Sequence, residues 1–205
     1  MALFDISTLV LSVGSSNKAL PGIGAFMRSP GMLDQHVGSF VADFGSVNNV
    51  MIIRKLDDDA QLRRERQSIL SMSSPFGAGE FLEQVTCETF VPFPDIPPVG
   101  PGTYGPFYEF RTYFLKVGGL EPTLKAWAAA TPARTALSPL AMVMYSTDGP
   151  LRTMHVWPYP TLEQRQRVRI EALRQKIWPA AGSMQWLTSR LQSNLFMPTE
   201  FSPLQ

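Results

Sequence analysis

The sequence predicts an α+β protein built from two tandem ferredoxin-like (βαββαβ) units, whose antiparallel sheets pack face to face as an α+β barrel. Three observations support this prediction. Residues 4–14 align without a gap with residues 108–118, and residues 49–70 align with residues 152–173, so one folding unit is used twice. A run rich in proline and glycine separates the two repeats. Strand and helix patterns follow each other in the order that a ferredoxin-like unit requires.

The domain boundaries follow from the length and from the proline-rich run. A chain of 205 residues can hold two units of about 100 residues each. We predict an N-terminal repeat over residues 1–91, a linker over residues 92–106 and a C-terminal repeat over residues 107–205. The linker contains six prolines and three glycines, which exclude a regular helix or a central strand.

The C-terminal repeat has the clearer pattern. Its first strand, 107–116, carries Tyr108, Phe110 and Phe114 on one face, and alternate positions such as Glu109 and Arg111 on the other. The further predicted elements are a helix over 120–131 closed by Pro132, strands over 140–147 and 152–157, a helix from Thr161 to about Lys176, and a strand over 186–196.

The N-terminal repeat follows the same order less regularly. Its predicted elements are strands near 4–13, 37–44, 49–56 and 82–91, with a helix near 58–71. Pro21, Gly22 and Gly24 argue against a regular first helix. The run Asp57-Asp58-Asp59 is interpreted as the acidic start of a helix rather than as a metal site.

Each unit places its helices on one side of its sheet, so the other side must be covered. We assign Tyr113, Leu115 and Trp157 to that other side in the second repeat, and Leu9 and Leu11 in the first. Apolar faces of this size are too large to leave in water. The two sheets can cover each other within one chain, as an intrachain pseudo-dimer, or each can pair with a second copy in a homo-oligomer, most simply a dimer.

Composition limits the possible partners and compartments. The formal charge of +1 argues against a nucleic-acid binder. The single cysteine, Cys87, allows no internal disulfide, and no stretch approaches the roughly 20 apolar residues of a membrane span, so we predict a cytoplasmic protein. No phosphate loop, complete dinucleotide fingerprint or paired-histidine motif is present, and we predict no cofactor and no metal.

Four residues of the second repeat are predicted to meet in one polar site. Glu109 and Arg111 share a face of the first strand, and His155 and Trp157 share a face of the third strand, its neighbour in a ferredoxin-like sheet. Because Phe110 suits the side of the helices, we expect the four residues to face the barrel interior. The basic helix that includes Arg165 and Arg169 is interpreted as a solvated surface.

The residue types suggest a polar end to an apolar pocket. Arg111 would hold an anionic or carbonyl group, His155 would be the catalytic candidate that exchanges protons near neutral pH, and Trp157 would form an aromatic wall beside Tyr113. Glu109 would orient or neutralise one of them. The alternative is a structural Glu109–Arg111 ion pair with a packed His155 that is hydrogen-bonded to a carbonyl.

The first repeat lacks this set. Ile52 stands at the position of His155, and Arg54 stands at the position of Trp157. We therefore expect the site in the second half of the chain, with Arg54 as a possible second cation.

Several segments of residues 107–205 resemble one protein family. They are Tyr108-Glu109-Phe110-Arg111-Thr112-Tyr113, His155-Val156-Trp157-Pro158-Tyr159, Trp178 after a charged helix, and the ending Phe201-Ser202-Pro203-Leu204-Gln205. Together they resemble the NIPSNAP family. The resemblance implies a dimeric α+β barrel fold, often in tandem, with an activity that is not securely defined.

We therefore predict a protein that binds a small, largely apolar molecule with a polar head between the sheets. Two other functions stay open. One is a non-enzymatic interaction or assembly protein with a filled barrel, and the other is a cofactor-independent monooxygenase or isomerase, by fold analogy. A cavity of at least ~300 Å³ lined by Arg111 and His155 would favour binding.

Overall fold

The computed structural model describes residues 2–205. Within that range the chain is a mixed α+β protein with eight strands and four α-helices. The strands follow the order of a closed antiparallel barrel, which confirms the predicted fold class.

The chain divides into two compact units. Unit 1 contains the residues up to Phe90, together with Pro101–Thr103 and Phe196–Gln205. Unit 2 contains Val91–Gly100 and Tyr104–Leu195. Each unit is a βαββαβ arrangement.

Unit 1 has its strands in the order β4-β1-β3-β2. Its elements are β1 (Leu3–Leu11), α1 (Ser16–Met27), β2 (His36–Phe44), β3 (Asn49–Leu56), α2 (Asp59–Leu70) and β4 (Leu82–Pro92, of which the residues up to Phe90 belong to this unit). The acidic run before α2 serves as a helix start, because the Asp58 side chain accepts a hydrogen bond of 2.8 Å from the Gln61 backbone N–H.

The first helix of unit 1 is regular, so the expectation that Pro21 and the glycines would disturb it is wrong. Pro21 lies inside α1, and the glycines permit close packing. A β-carbon on Gly22 would lie 2.3 Å from the carbonyl oxygen of Gly77, and one on Gly24 would lie 2.7 Å from the Phe201 ring. The residues that weaken an isolated helix are therefore the ones that let this helix approach its neighbours.

Unit 2 has its strands in the order β8-β5-β7-β6. Its elements are β5 (Phe107–Leu115), α3 (Leu120–Thr135), β6 (Met142–Ser146), β7 (Arg152–Tyr159), α4 (Leu162–Arg174) and β8 (Leu187–Pro198, of which the residues up to Leu195 belong to this unit). Thr161 caps α4 as predicted, because its hydroxyl accepts a hydrogen bond of 3.1 Å from the Gln164 backbone N–H.

Helix α3 continues through Pro132, where the sequence predicts its end. Proline removes one backbone N–H without ending the helix, and two threonine hydroxyls on either side of it donate to helix carbonyls. Thr131 donates to the Trp127 carbonyl over 2.7 Å, and Thr135 donates to the Thr131 carbonyl over 2.8 Å. The extra turn places Arg134 at the end of the helix.

The two faces of the β5 strand are opposite to the prediction. Glu109 bonds to arginines of α4, so Glu109 and Arg111 lie on the side of the helices and Phe110 lies on the other side. The same holds in unit 1, where Leu9 and Leu11 pack in one cluster with Ala19 and Ile23 of α1. The reason is that both faces of β5 are buried, so apolar character alone does not distinguish them.

None of the helices in the described part of the chain is both long enough and apolar enough to cross a membrane.

Candidate functional site

A cavity of about 250 Å³ lies in unit 2 between the sheet and its two helices. It is slightly smaller than the ~300 Å³ at which ligand pockets typically begin. Five of the six predicted site residues line it, namely Glu109, Arg111, Tyr113, His155 and Trp157. Its position differs from the prediction, because the cavity is on the helix side of the sheet.

Strands β5 and β7 bring these residues together through their antiparallel register. Arg111 is opposite His155, and Glu109 is opposite Trp157. Side chains at opposite positions on neighbouring strands have β-carbons about 5 Å apart. The predicted convergence of the four residues is therefore observed, and it follows from the two-residue period of each strand.

Glu109 is the centre of an ion network at one end of the cavity. It is 2 % exposed, and its Oε1 accepts hydrogen bonds from Arg165 over 2.6 Å, Arg111 over 2.9 Å and Ser193 over 2.7 Å, with Arg169 at 3.5 Å. Within residues 2–205, no hydrogen bond ends at its other oxygen, Oε2. Two arginines of the helix expected to be a solvated surface thus take part in the site.

This network keeps Glu109 ionised. Burial alone would raise the pKa of the carboxyl group, but the hydrogen bond from Arg165, the charge of Arg111 and the hydrogen bond from Ser193 outweigh it. The result is a pKa lowered from 4.5 to about 2. Glu109 therefore neutralises arginines at neutral pH and is a weak base.

His155 is fully buried, and its tautomer is determined by a neighbour. The Trp157 indole N–H donates a hydrogen bond of 2.7 Å to His155 Nδ1. Because an indole N–H can only donate, Nδ1 must be the unprotonated nitrogen, and the neutral ring carries its proton on Nε2. No partner for Nε2 occurs among residues 2–205, so a buried N–H donor of a residue that lines the cavity is left without an acceptor.

The environment of His155 favours the neutral ring. Burial lowers its pKa well below 6.5, and the charge of Arg111 acts in the same direction. The expected proton exchange near neutral pH therefore does not suit this position. At neutral pH His155 is a neutral hydrogen-bond donor.

Three tryptophans form the apolar wall of the cavity. Trp127 of α3 and Trp178, which follows α4, have ring centroids 4.6 Å apart at 89°. Trp157 lies 5.8 Å from Trp178 and 6.5 Å from Trp127. This arrangement presents aromatic surface from a strand, a helix and a loop to one small volume.

Arg134 supplies a buried cation that no carboxylate neutralises directly. It is 3 % exposed and lies over the Trp157 ring, with its guanidinium carbon 4.0 Å from the ring centroid. Its hydrogen-bond partners are neutral: the Ser138 hydroxyl at 2.9 Å and the Tyr159 hydroxyl at 3.3 Å. Among the residues that the structure describes, none forms an ion pair with Arg134, although it lines the cavity.

The cavity opens between exposed apolar side chains. Leu173, Met184 and Leu191 line it and are 61 %, 62 % and 50 % exposed. Arg134 and His155 belong to the same lining but are buried, so the cavity joins an exposed apolar side to a buried polar one.

Arg54, the sixth predicted residue, lies in unit 1 and is not part of this cavity. Its fully buried guanidinium group bonds to Asp5 over 2.5 Å and to Glu65 over 2.8 Å. Arg66 of α2 binds the other oxygen of Asp5. By the repeat alignment, Asp5 corresponds to Glu109 and Arg54 corresponds to Trp157. At the position where unit 2 has the aromatic ring of Trp157, unit 1 therefore has an arginine that is paired with acidic side chains.

Sequence analysis did not identify Arg134, Trp127 or Trp178 as site residues. The spacing of Trp127 and Arg134, seven residues apart, places both on one face of a helix, but the predicted helix end at Pro132 hides this relation. Trp178 had no comparable signal, because only the tertiary fold brings it to the other tryptophans. No group of three or more possible metal-binding side chains occurs in the described residues.

Comparisons with known proteins agree with this fold. The family model NIPSNAP matches residues 108–203. The Protein NipSnap homolog of Dictyostelium discoideum is 28 % identical over 149 residues, which are 69 % of this chain and 65 % of that protein. The match thus spans slightly less than two thirds of that relative's length.

Two solved structures resemble almost the whole chain. One is a candidate monooxygenase from Lactobacillus acidophilus NCFM, with a TM-score of 0.70 and 12 % identity over 96 % of this chain and 93 % of that chain. The other is an anthrone oxidase-like protein, with a TM-score of 0.69 and 10 % identity over 97 % of this chain and 92 % of that chain. At such identities the likeness concerns the fold alone. The family model and the curated relative confirm the resemblance seen in the sequence: residues 108–203 of this chain match the NIPSNAP family.

Proposed function

We propose that unit 2 binds a small molecule with an apolar ring and an oxygen-bearing head group, in the cavity between its sheet and its helices. The observation that carries this proposal is a pair of buried groups: among the described residues, a histidine N–H has no acceptor and the charge of an arginine has no ion-pair partner. The His155 Nε2–H has no acceptor within residues 2–205, and Arg134 has no carboxylate partner there. Buried polar groups are normally paired, and the oxygen-bearing head group of a ligand would supply the acceptor and the negative charge that these groups lack.

The walls of the cavity determine the rest of the ligand. Trp127, Trp157 and Trp178 favour a flat aromatic or otherwise apolar body that can lie against their rings. A volume of about 250 Å³ exceeds the roughly 150 Å³ that holds benzene in an engineered cavity. We therefore infer a ligand with one or two rings whose polar group enters first.

The binding test uses 2-naphthoate as the probe, titrated into the full chain at pH 7. Binding is followed by calorimetry and by quenching of tryptophan emission, because three of the four tryptophans line the cavity. Acetate, which has the head group without the ring, serves as the comparison compound. We expect saturable binding of 2-naphthoate and none of acetate.

Two variants test the assigned groups. Arg134→Gln removes the cation, and we expect it to weaken 2-naphthoate binding by at least about tenfold, since a hydrogen bond to a charged group contributes about 1.5–3 kcal/mol. Arg167→Gln is the matched control, because it removes an exposed arginine of α4 that is not part of the cavity wall. Equal binding by these two variants would contradict the proposal.

The same titration decides between binding and assembly. If the chain only mediates assembly, the melting temperature should not respond to 2-naphthoate. If the chain binds the ligand, its free energy of unfolding should rise by about 2.7 kcal/mol at a free ligand concentration of 100 times Kd. A cytoplasmic location and a dimer or pseudo-dimer remain predictions from the sequence.

A further inference from the structure

We propose that this cavity takes acidic phenols and enols in their ionised form and holds the oxyanion between His155 Nε2–H and the Arg134 guanidinium group. This inference rests on the proposed function, because it concerns the same cavity. It adds the chemical class of the head group and its charge in the bound state.

The first argument is that both groups at the buried end can only donate hydrogen bonds. A guanidinium group has no acceptor, and His155 Nδ1 is occupied by the Trp157 indole N–H, which leaves only the Nε2–H. An oxyanion can accept from both donors. A neutral hydroxyl group can also accept, but its own proton then needs an acceptor that neither group supplies.

The second argument is the charge of the cavity wall. The charged side chains that line it are Glu109 and Arg111 on β5, Arg134 on α3 and Arg169 on α4, a formal balance of +2. Glu109 already receives hydrogen bonds from Arg111 and Arg165. The remaining polar wall includes the hydroxyl groups of Tyr113 and Tyr159 and the neutral ring of His155. A negative ligand therefore reduces an excess of positive charge in a buried space.

One ring, that of Trp157, contacts both Arg134 and His155. Arg134 lies over the face of Trp157, 4.0 Å from its centroid, and His155 is bonded to the indole nitrogen at its edge. Trp157 thus acts as a positioning residue for both groups. Ionisation on binding moves one proton from the ligand hydroxyl to the solvent, and no covalent bond to the protein forms or breaks.

The test uses 4-nitrophenol, whose ionised and neutral forms have different absorption spectra. The spectrum of the probe bound to the full chain is recorded across a pH series and compared with that of the free probe. We expect the bound probe to ionise at least about one pH unit below the free probe, which corresponds to a tenfold preference for the anion. Ionisation of the bound probe at the same pH as the free probe, or higher, would overturn the inference.

Variants identify the groups responsible. Arg134→Gln and His155→Asn should each move the ionisation of bound 4-nitrophenol back towards that of the free probe. Asparagine keeps an acceptor near the position of Nδ1 for the Trp157 indole and removes the Nε2–H. Arg167→Gln should leave the ionisation unchanged. If either cavity variant fails to fold, the pH series on the unaltered chain decides the question.

A neutral probe separates this inference from the proposed function. 4-Nitrotoluene has nearly the same shape as 4-nitrophenol but cannot ionise. If it binds as tightly as the phenolate, the cavity accepts rings without selecting oxyanions, and only the present inference fails. If neither compound binds, and 2-naphthoate does not bind either, the proposed function fails as well.

Discussion

Replacing Glu109 by glutamine tests the ion network on which the site depends. The variant keeps the shape of the side chain but removes its charge, which leaves Arg111, Arg165 and Arg169 without their common partner. A pKa lowered from 4.5 to about 2 corresponds to about 3 kcal/mol of stabilisation of the folded state. Breaking a buried ion pair typically costs about 3–5 kcal/mol, which agrees with this value.

The assay is urea unfolding at pH 7, followed by circular dichroism. In a separate thermal unfolding experiment, a loss of about 3 kcal/mol in the free energy of unfolding corresponds, for a chain of this length, to a melting temperature lower by about 6–12 °C. The control is Glu171→Gln, which removes a half-buried carboxylate that pairs with the exposed Arg174 on α4, and we expect little change there. A free energy of unfolding for Glu109→Gln within about 1 kcal/mol of the unaltered protein would refute the reasoning.

The pH dependence gives a second test of the same prediction. Between pH 4.5 and about 2 the unfolded chain protonates Glu109 while the folded chain keeps it ionised, so the unfolded state binds more protons. The stability contributed by Glu109 is therefore complete above pH 4.5 and is lost as the pH falls towards 2. The difference between the unaltered protein and Glu109→Gln should shrink over this interval, and a constant difference would contradict the assignment.

Two further predictions concern unit 1. His36 is buried beside the Ser39 hydroxyl, 2.7 Å from its Nε2, and burial lowers its pKa to about 4 despite an opposing backbone hydrogen bond. Stability should therefore fall by about 3 kcal/mol as the pH drops from 6.5 to 4, and urea unfolding of His36→Gln should lack this step. Gly22→Ala places a methyl group 2.3 Å from the Gly77 carbonyl oxygen and should cost about 1–3 kcal/mol in urea unfolding, whereas Gly100→Ala, with open space around it, should cost little.

Much of the site was predictable because strand geometry is simple. The two-residue period places Glu109, Arg111 and Tyr113 on one face of β5, and the ferredoxin-like order makes β7 its neighbour. These two rules are enough to predict that His155 and Trp157 lie beside Glu109 and Arg111. They hold regardless of what covers the sheet.

The helix contributions were harder to predict, because they depend on how far each helix runs and what it packs against. Pro132 is a helix breaker in isolation, yet α3 passes through it and carries Arg134 into the cavity. Arg165 and Arg169 are typical of a solvated helix surface until the fold places Glu109 beside them. Local pattern gave no sign of either outcome.

The sequence alone determined the repeat, the order of the elements and which side chains share a strand face, since these depend on spacing along the chain. It did not determine which face of the sheet meets the helices, because both faces of β5 are buried. The two-residue period sorts the side chains into two sets but does not say which set faces the helices. The tertiary structure decided that question by placing the helix arginines where Glu109 could bind them. The same packing brought three tryptophans, a neutral histidine and an arginine without an ion-pair partner among the described residues around one small cavity.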